Sequence, residues 1–212
     1  MNFWEYLFWI SCLVVFYNYA GYAIIVYVAN KFRRKVNKDT SRYFYPTVSF
    51  IVAAYNEEDC IEKKAENSLQ LNYPKEKIEY IFITDGSSDR TNELLLKYPS
   101  VKVLYSPERK GKSAALNRAV QEAKHDILIF SDANTILNKN ACVSISRHYY
   151  FEETGGVAGE KKVMSGSKTS NEVGHSEGLY WKYESVLKKL DSDFYSVVGA
   201  AGELFSVRRE LY

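Results

Sequence analysis

The chain has 212 residues, 28 of them basic and 26 acidic, for a formal net charge of +2. Apolar residues make up 46% and charged ones 25%, which excludes a long disordered chain, and 4 prolines with 11 glycines exclude collagen-like and low-complexity architectures. The charge is too balanced to argue for nucleic acid as the main partner, and none is expected; the scattered cysteines Cys12, Cys60 and Cys142 form neither a disulfide framework nor a zinc spacing.

From Tyr6 to Ala29 no residue carries a formal charge. At about 1.5 Å per residue this run is long enough to cross a hydrocarbon core of roughly 30 Å. Trp4, Tyr6 and Trp9 stand at one end and Tyr27 at the other, where interfacial aromatics belong. Lys31, Arg33, Arg34, Lys35 and Lys38 follow, and the positive-inside bias keeps that side cytoplasmic. Residues 1–30 are therefore expected to be a single transmembrane anchor and residues 31–45 a basic juxtamembrane linker. A cleaved signal peptide competes, but the first residues hold Glu5 and no Lys or Arg. A buried helix of a soluble protein is the other competitor. Asn18 and the tyrosines are candidates for facing a partner helix in the membrane.

After Pro46 the pattern alternates. Residues 47–54 (TVSFIVAA) are β-branched and apolar and predict a buried strand. A helix is expected over 59–71, with Ile61, Ala65, Ser68 and Leu69 on one face and Asn56 as its cap. A strand over 78–84, a helix over 88–98 ending before Pro99, a strand over 101–105, an alanine-rich helix over 113–123 and a strand over 126–131 follow. This repetition means βαβ units and a parallel sheet covered on both faces. Beyond Asn138 the pattern changes: a short helix to about His148, a strand over 156–164, a polar loop over 165–174, and helical spacing of Leu179, Tyr183, Val186, Leu187 and Leu190. Residues 197–207 are apolar with Gly199 and Gly202 inside them.

In an open parallel sheet, ligands bind at the carboxyl ends of the strands. The residues leaving the four strands are Ala54-Tyr55-Asn56-Glu57, Asp85-Gly86-Ser87-Ser88-Asp89, Arg109-Lys110-Gly111-Lys112 and Asp132-Ala133-Asn134. An aromatic, two acidic turns and a basic glycine-containing turn suit a flat base, a diphosphate and a divalent cation. Taken singly, each also reads as a turn dipeptide, a solvated lysine pair or a helix cap. Gly111-Lys112-Ser113 is not a P-loop, which needs a glycine where Ser106 stands, and no glycines follow the first strand as the dinucleotide fingerprint demands.

The blocks VSFIVAAYNEE, ITDGSSDRT, and RKGKSAALNRA followed by ILIFSDANT resemble family 2 of the nucleotide-sugar glycosyltransferases, in order and spacing, over about residues 46–212. The anchor, EGLYWKYE and VVGAAGELFSVRRELY are similar to the membrane-bound branch that includes hyaluronan and cellulose synthases. The resemblance implies a GT-A fold, a Rossmann-like, mostly parallel α/β sheet with helices on both faces, over residues 46–212. It implies transfer of a sugar from a UDP-sugar to a glycan or lipid acceptor with inversion, in polysaccharide or cell-envelope glycan synthesis. It assigns Tyr55 to the nucleobase, with Ala54 lending backbone contacts and Glu57 closing the pocket. It assigns Asp85 to a hydrogen bond from the base, Lys112 to the diphosphate, and Asp132 and Asn134 to Mg²⁺ or Mn²⁺. Thr84 and Asn134 stand where many members carry acids. The family's general base is expected beyond Tyr212, so a truncated, catalytically incompetent nucleotide-sugar-binding module is the alternative, and a membrane-tethered scaffold without ligand a further one.

Overall fold

The computed structural model of the protein describes residues 2–33, 43–160, 173–197, 199 and 202–212, with the backbone alone over 173–179. The chain divides into two compact units, Met1–Lys38 with Lys161–Gly199, and Asp39–Glu160 with Ala200–Tyr212.

The second unit is built on β1 (Val48–Ala54), β2 (Ile78–Asp85), β3 (Val101–Ser106), β4 (Ile127–Asp132), β5 (Gly156–Ala158) and β6 (Leu204–Arg208). They form one six-stranded sheet in the order β3-β2-β1-β4-β6-β5. β1 pairs in parallel with β2 and β4, and β2 with β3. The chain therefore winds outward from β1 to β3 and then crosses to the other side of β1, which puts the switch in winding between β1 and β4. Side chains of β1 alternate. Phe50 and Val52 join a core covered by Ile61 and Ala65 of α3 (Ile61–Leu69), Leu94 and Leu95 of α4 (Thr91–Leu95) and Val143 and Ile145 of α6 (Ala141–Ser146). Ile51 faces the opposite way, with Ile81, Ile83, Leu128 and Phe130, against Ala115 and Ala119 of α5 (Lys112–Glu122). Burial on both faces is why β1, β2 and β4 read as largely apolar runs rather than as strict alternations.

The sequence left one point open, and three expectations need correction. The open point is the direction of the last strands: β6 runs antiparallel to β4, and β5 antiparallel to β6. Phe205 and Val207 pack on the α5 side and Leu204 on the other, and that alternation is the same for either strand direction. As a first correction, Asn56 does not cap a helix. It adopts φ 52°, a left-handed conformation that asparagine tolerates, and its side-chain oxygen accepts from the Ser88 amide at 2.9 Å. Second, the helix expected over 88–98 shrinks to α4. Residues ahead of it are committed to holding turns, as the Asp89 carboxylate accepts from the amides of Thr91 and Glu58. Third, β5 stops at Ala158. Residues 161–164 of the expected strand and 165–172 of the expected loop lie outside the described residues, and Val173 already belongs to α7 (Val173–Phe194).

In the first unit, α1 (Phe3–Phe16), a π-helical turn (Tyr17–Gly21) and α2 (Tyr22–Phe32) make one helix of 30 residues, within which an 18-residue stretch reaches a mean hydropathy of 1.7. It is long and apolar enough to cross a membrane by length and composition. α7 packs along its second half. The Tyr22 hydroxyl donates to Asp191 Oδ1 at 2.8 Å, the Asn30 amide to the Leu190 carbonyl at 2.8 Å, and the Tyr183 hydroxyl to the Tyr19 carbonyl at 2.8 Å. Asn18 donates to the carbonyl of Val14, within its own helix. Part of the polar character expected to face a partner helix is thus met inside the chain. Arg34, Lys35 and Lys38 of the expected basic linker lie outside the described residues.

Candidate functional site

The carboxyl ends of β1, β2 and β4 and the turn after β3 lie along one edge, and hydrogen bonds knit their turns together. Leaving β1, the Asn56 amide donates to Ser87 Oγ at 3.2 Å and the Glu57 amide to Thr91 Oγ1 at 2.9 Å. The turns after β1 and β2 are therefore one body. Ala54 is buried beneath them, and the ring of Tyr55 stays 39% exposed. The Glu57 carboxylate accepts from the thiol of Cys60 at 3.0 Å, and burial, followed by that bond, pushes the thiol pKa up to about 11. Thr84, where an acid was expected from the resemblance, donates its hydroxyl to Asn92 Oδ1 at 2.5 Å, tying β2 to α4.

Asp85 closes β2 and organises the basic turn. It is 4% exposed. Its Oδ2 accepts from the backbone amides of Lys110 and Gly111, both at 2.7 Å, and its Oδ1 from Arg118 Nη2 at 2.9 Å. Gly86 must be glycine here: its φ is 69°, and a Cβ would stand 2.8 Å from Arg109. That close approach lets Arg109 lay its guanidinium over the Tyr55 ring, 3.9 Å from the centroid.

Gly111, at φ 91°, opens α5. Lys112, the first residue of that helix, reaches Asp132 at the end of β4, with Nζ 2.5 Å from Oδ1. Both side chains keep contact with solvent. The backbone of Gly202 runs close by, since a Cβ there would lie 3.5 Å from Lys112 Nζ and 3.7 Å from Asp132 Oδ2. Asn134, two residues on, is exposed.

The structure thus links Tyr55 to the Arg109 turn, Asp85 to the same turn, and Lys112 at its end to Asp132. Glu57 turns toward α3 instead. Sequence reading missed three contributors. Arg109 lay in a turn read for its charge, yet it stacks. Arg118 is one basic residue in an alanine-rich helix and reaches Asp85 from far along the chain. Lys64 lies beneath Asp132, and its position on the same helical stripe as Ile61, Ala65 and Ser68 was the readable signal.

A model described as Glycosyl transferase family 2 matches residues 49–212. The poly-beta-1,6-N-acetyl-D-glucosamine synthase of Staphylococcus aureus (strain MSSA476) is 30% identical over 179 residues, which is 82% of this chain and 43% of that protein. The probable glycosyltransferase YdaM of Bacillus subtilis (strain 168) is 36% identical over 138 residues, 58% of this chain and 31% of its own length. The chain therefore spans less than half the length of these relatives. Among solved structures, the mannosyltransferase PcManGT from Pyrobaculum calidifontis, in complex with GDP-Man and Mn²⁺, superposes with a TM-score of 0.75 at 22% identity, over 94% of this chain and 55% of that one. S. aureus TarS 1-349 in complex with UDP-GlcNAc gives 0.51 at 22% identity, over 59% and 37%. These two share the fold. With the family match running from β1 to the last residue, the chain belongs to glycosyltransferase family 2.

Proposed function

We propose that this chain carries the donor-binding part of an inverting transferase that takes a sugar from a UDP-sugar, with a divalent cation, and passes it to a glycan or lipid acceptor in polysaccharide or cell-envelope glycan synthesis. The observation that carries this reading is the continuous network from Tyr55 through Arg109, Asp85 and Lys112 to Asp132. Its two ends differ as a nucleoside diphosphate does: an aromatic face at one, charges at the other.

The exposed face of Tyr55, with Arg109 beside it, suits a stacked uracil. Asp85 spends its hydrogen bonds on holding Lys110 and Gly111 in place, and a carboxylate with three acceptor sites in use retains one for the base. Lys112 offers a point charge to the diphosphate. Asp132 and Asn134 supply a carboxylate and an amide oxygen on one turn, an all-oxygen set that fits Mg²⁺ or Mn²⁺. Among the described residues no group of three or more His, Cys, Asp or Glu could hold a metal by itself. The set therefore fits a cation that completes its shell with diphosphate oxygens and water. Such a cation, when bound, stabilises the negative charge that builds on the leaving diphosphate. Lys112 adds to that stabilisation from this chain, and in doing so exchanges its pairing with Asp132 for one with the diphosphate.

The helix Phe3–Phe32 is read as crossing the membrane, with Lys31 and Arg33 on the cytoplasmic side and the donor site in the cytoplasm. Calorimetric titration of the full chain in detergent with UDP, with and without Mn²⁺, tests the proposal. Binding strengthened by Mn²⁺ is expected; no binding of UDP in the presence of Mn²⁺ would overturn it.

A further inference from the structure

Lys64 is fully buried, and its ammonium makes no direct ion pair among the described residues, with the Asp132 carboxylate acting on it only at longer range. Nζ donates to Ser131 Oγ at 2.6 Å and to the Thr135 carbonyl at 2.6 Å, and the Phe50 ring centroid lies 5.7 Å away. Taking an ammonium out of water is expensive, and neutral oxygens offset the cost only in part. A shorter neutral donor or an apolar side chain would fill the same space without that cost. What the lysine does that these do not is grip both ends of one turn. Ser131 and Thr135 bracket Asp132-Ala133-Asn134.

Two neighbours, one on α3 and one just before its first residue, extend the grip. Cys60 and Asn67 share the helix face of Lys64, at spacings of four and three residues. The Cys60 sulfur, whose proton goes to Glu57, packs 3.7 Å from the Ala133 carbonyl. The Asn67 amide donates to the Leu137 carbonyl and its oxygen accepts from the Leu137 amide, both at 2.9 Å. One face of α3 thus holds the chain on both sides of Asp132 and Asn134, at Ser131 before them and at Thr135 and Leu137 after them. On the far side, Ser131 Oγ donates to the Glu203 carbonyl at 3.0 Å, so Lys64 also anchors the segment entering β6.

We propose that Lys64, flanked by Cys60 and Asn67, is a positioning residue that shapes the Ser131–Thr135 turn so that Asp132 and Asn134 receive the divalent cation together. This rests on the reading of those two residues as cation ligands. Supporting groups behind metal ligands set affinity strongly, and their loss typically costs about 10–100-fold.

The test is Mn²⁺ binding by the full chain in detergent with saturating UDP, read as free Mn²⁺ by electron paramagnetic resonance, beside UDP binding without metal. Lys64→Met keeps the length of the side chain and removes its donors. Folded Lys64→Met is expected to bind Mn²⁺ about 10–100-fold more weakly while its metal-free UDP affinity stays unchanged. A merely structural role would lower both or neither. Folded Lys64→Met that binds Mn²⁺ like the wild type overturns the proposal. If that variant does not fold, Asn67→Ala, which leaves the ammonium in place and frees Leu137, carries the same comparison: a selective loss of Mn²⁺ affinity supports the clamp and unchanged affinity refutes it. A wild-type chain that binds UDP but no Mn²⁺ removes the cation reading and this proposal with it, and the wild-type trace alone tells that failure from the other.

Discussion

Asp85 and Asp132 end neighbouring parts of one sheet, at the same edge, yet their surroundings are opposite. Asp85 is buried, and three donors from two other segments fill its carboxylate. Asp132 is partly open and has one flexible lysine across from it. A carboxylate saturated by backbone amides fixes the shape of a site, whereas one held by an exposed lysine is free to exchange partners with a ligand. The base side of the pocket is thus built in advance, and the diphosphate side is left to be completed on binding.

The widest separation between the two should come from removing each carboxylate. Asp85→Ala leaves two turn amides and the partly buried Arg118 without their acceptor, and is expected to cost roughly 3 kcal/mol of stability and to abolish UDP binding with or without Mn²⁺. Asp132→Ala breaks a solvent-exposed ion pair and should change stability by less than about 1 kcal/mol. Its effect falls on the cation instead: the Mn²⁺-dependent part of UDP binding disappears and the metal-free part remains. Urea denaturation and calorimetry on the same two variants measure all four quantities. Equal stability losses would dissolve the contrast between a structural and an exchangeable aspartate.

Tyr55→Ala sharpens the same division from the base side. Stacking of a base on an aromatic ring is worth about 1–3 kcal/mol, so UDP affinity should fall roughly tenfold or more while the affinity for Mn²⁺ at saturating UDP is unchanged. If inorganic pyrophosphate with Mn²⁺ also binds more weakly to Tyr55→Ala, the ring is acting beyond the base.

The strands β1 to β4 were legible to within a residue or two because β1, β2 and β4 are rich in apolar residues buried on both faces and β3, at the edge, begins on the alternation Val101-Lys102-Val103, and their ends then located all four turns. Asp85, Lys112 and Asp132 were reachable by that route. What the turns do to each other was not, because it depends on contacts between segments far apart in sequence. Arg118 reaches Asp85 from thirty-three residues away. Asn56 looked like a helix cap because its side chain suits one, and it serves the neighbouring strand's turn instead. Lys64 was not singled out, although it lies on the buried stripe of α3 while Lys63 beside it is exposed. The direction of β6 was hidden for a simpler reason, since alternation in a strand carries no arrow.

The smallest effect concerns another buried polar group on β2. Tyr80 lies five positions before Asp85, is 5% exposed, and its hydroxyl has no hydrogen-bond partner among the described residues. Asp85 is held by its partners; Tyr80 is held by its ring, which packs edge-on to Phe50 at 5.9 Å between centroids. Tyr80→Phe keeps that packing and removes a hydroxyl that no described residue satisfies, so stability at pH 7 should be unchanged or higher by up to about 1 kcal/mol. The sign of the pH effect follows from burial, which pushes the Tyr80 hydroxyl from 10.0 up to about 12. The folded state keeps its proton where the unfolded chain has lost it. This contribution is therefore fully present below pH 10 and is lost as pH rises toward 12. Urea midpoints at pH 7, 9, 10.5 and 11.5 should fall less steeply in Tyr80→Phe than in the wild type. Parallel curves would mean that the buried hydroxyl is not what makes this strand sensitive to alkali.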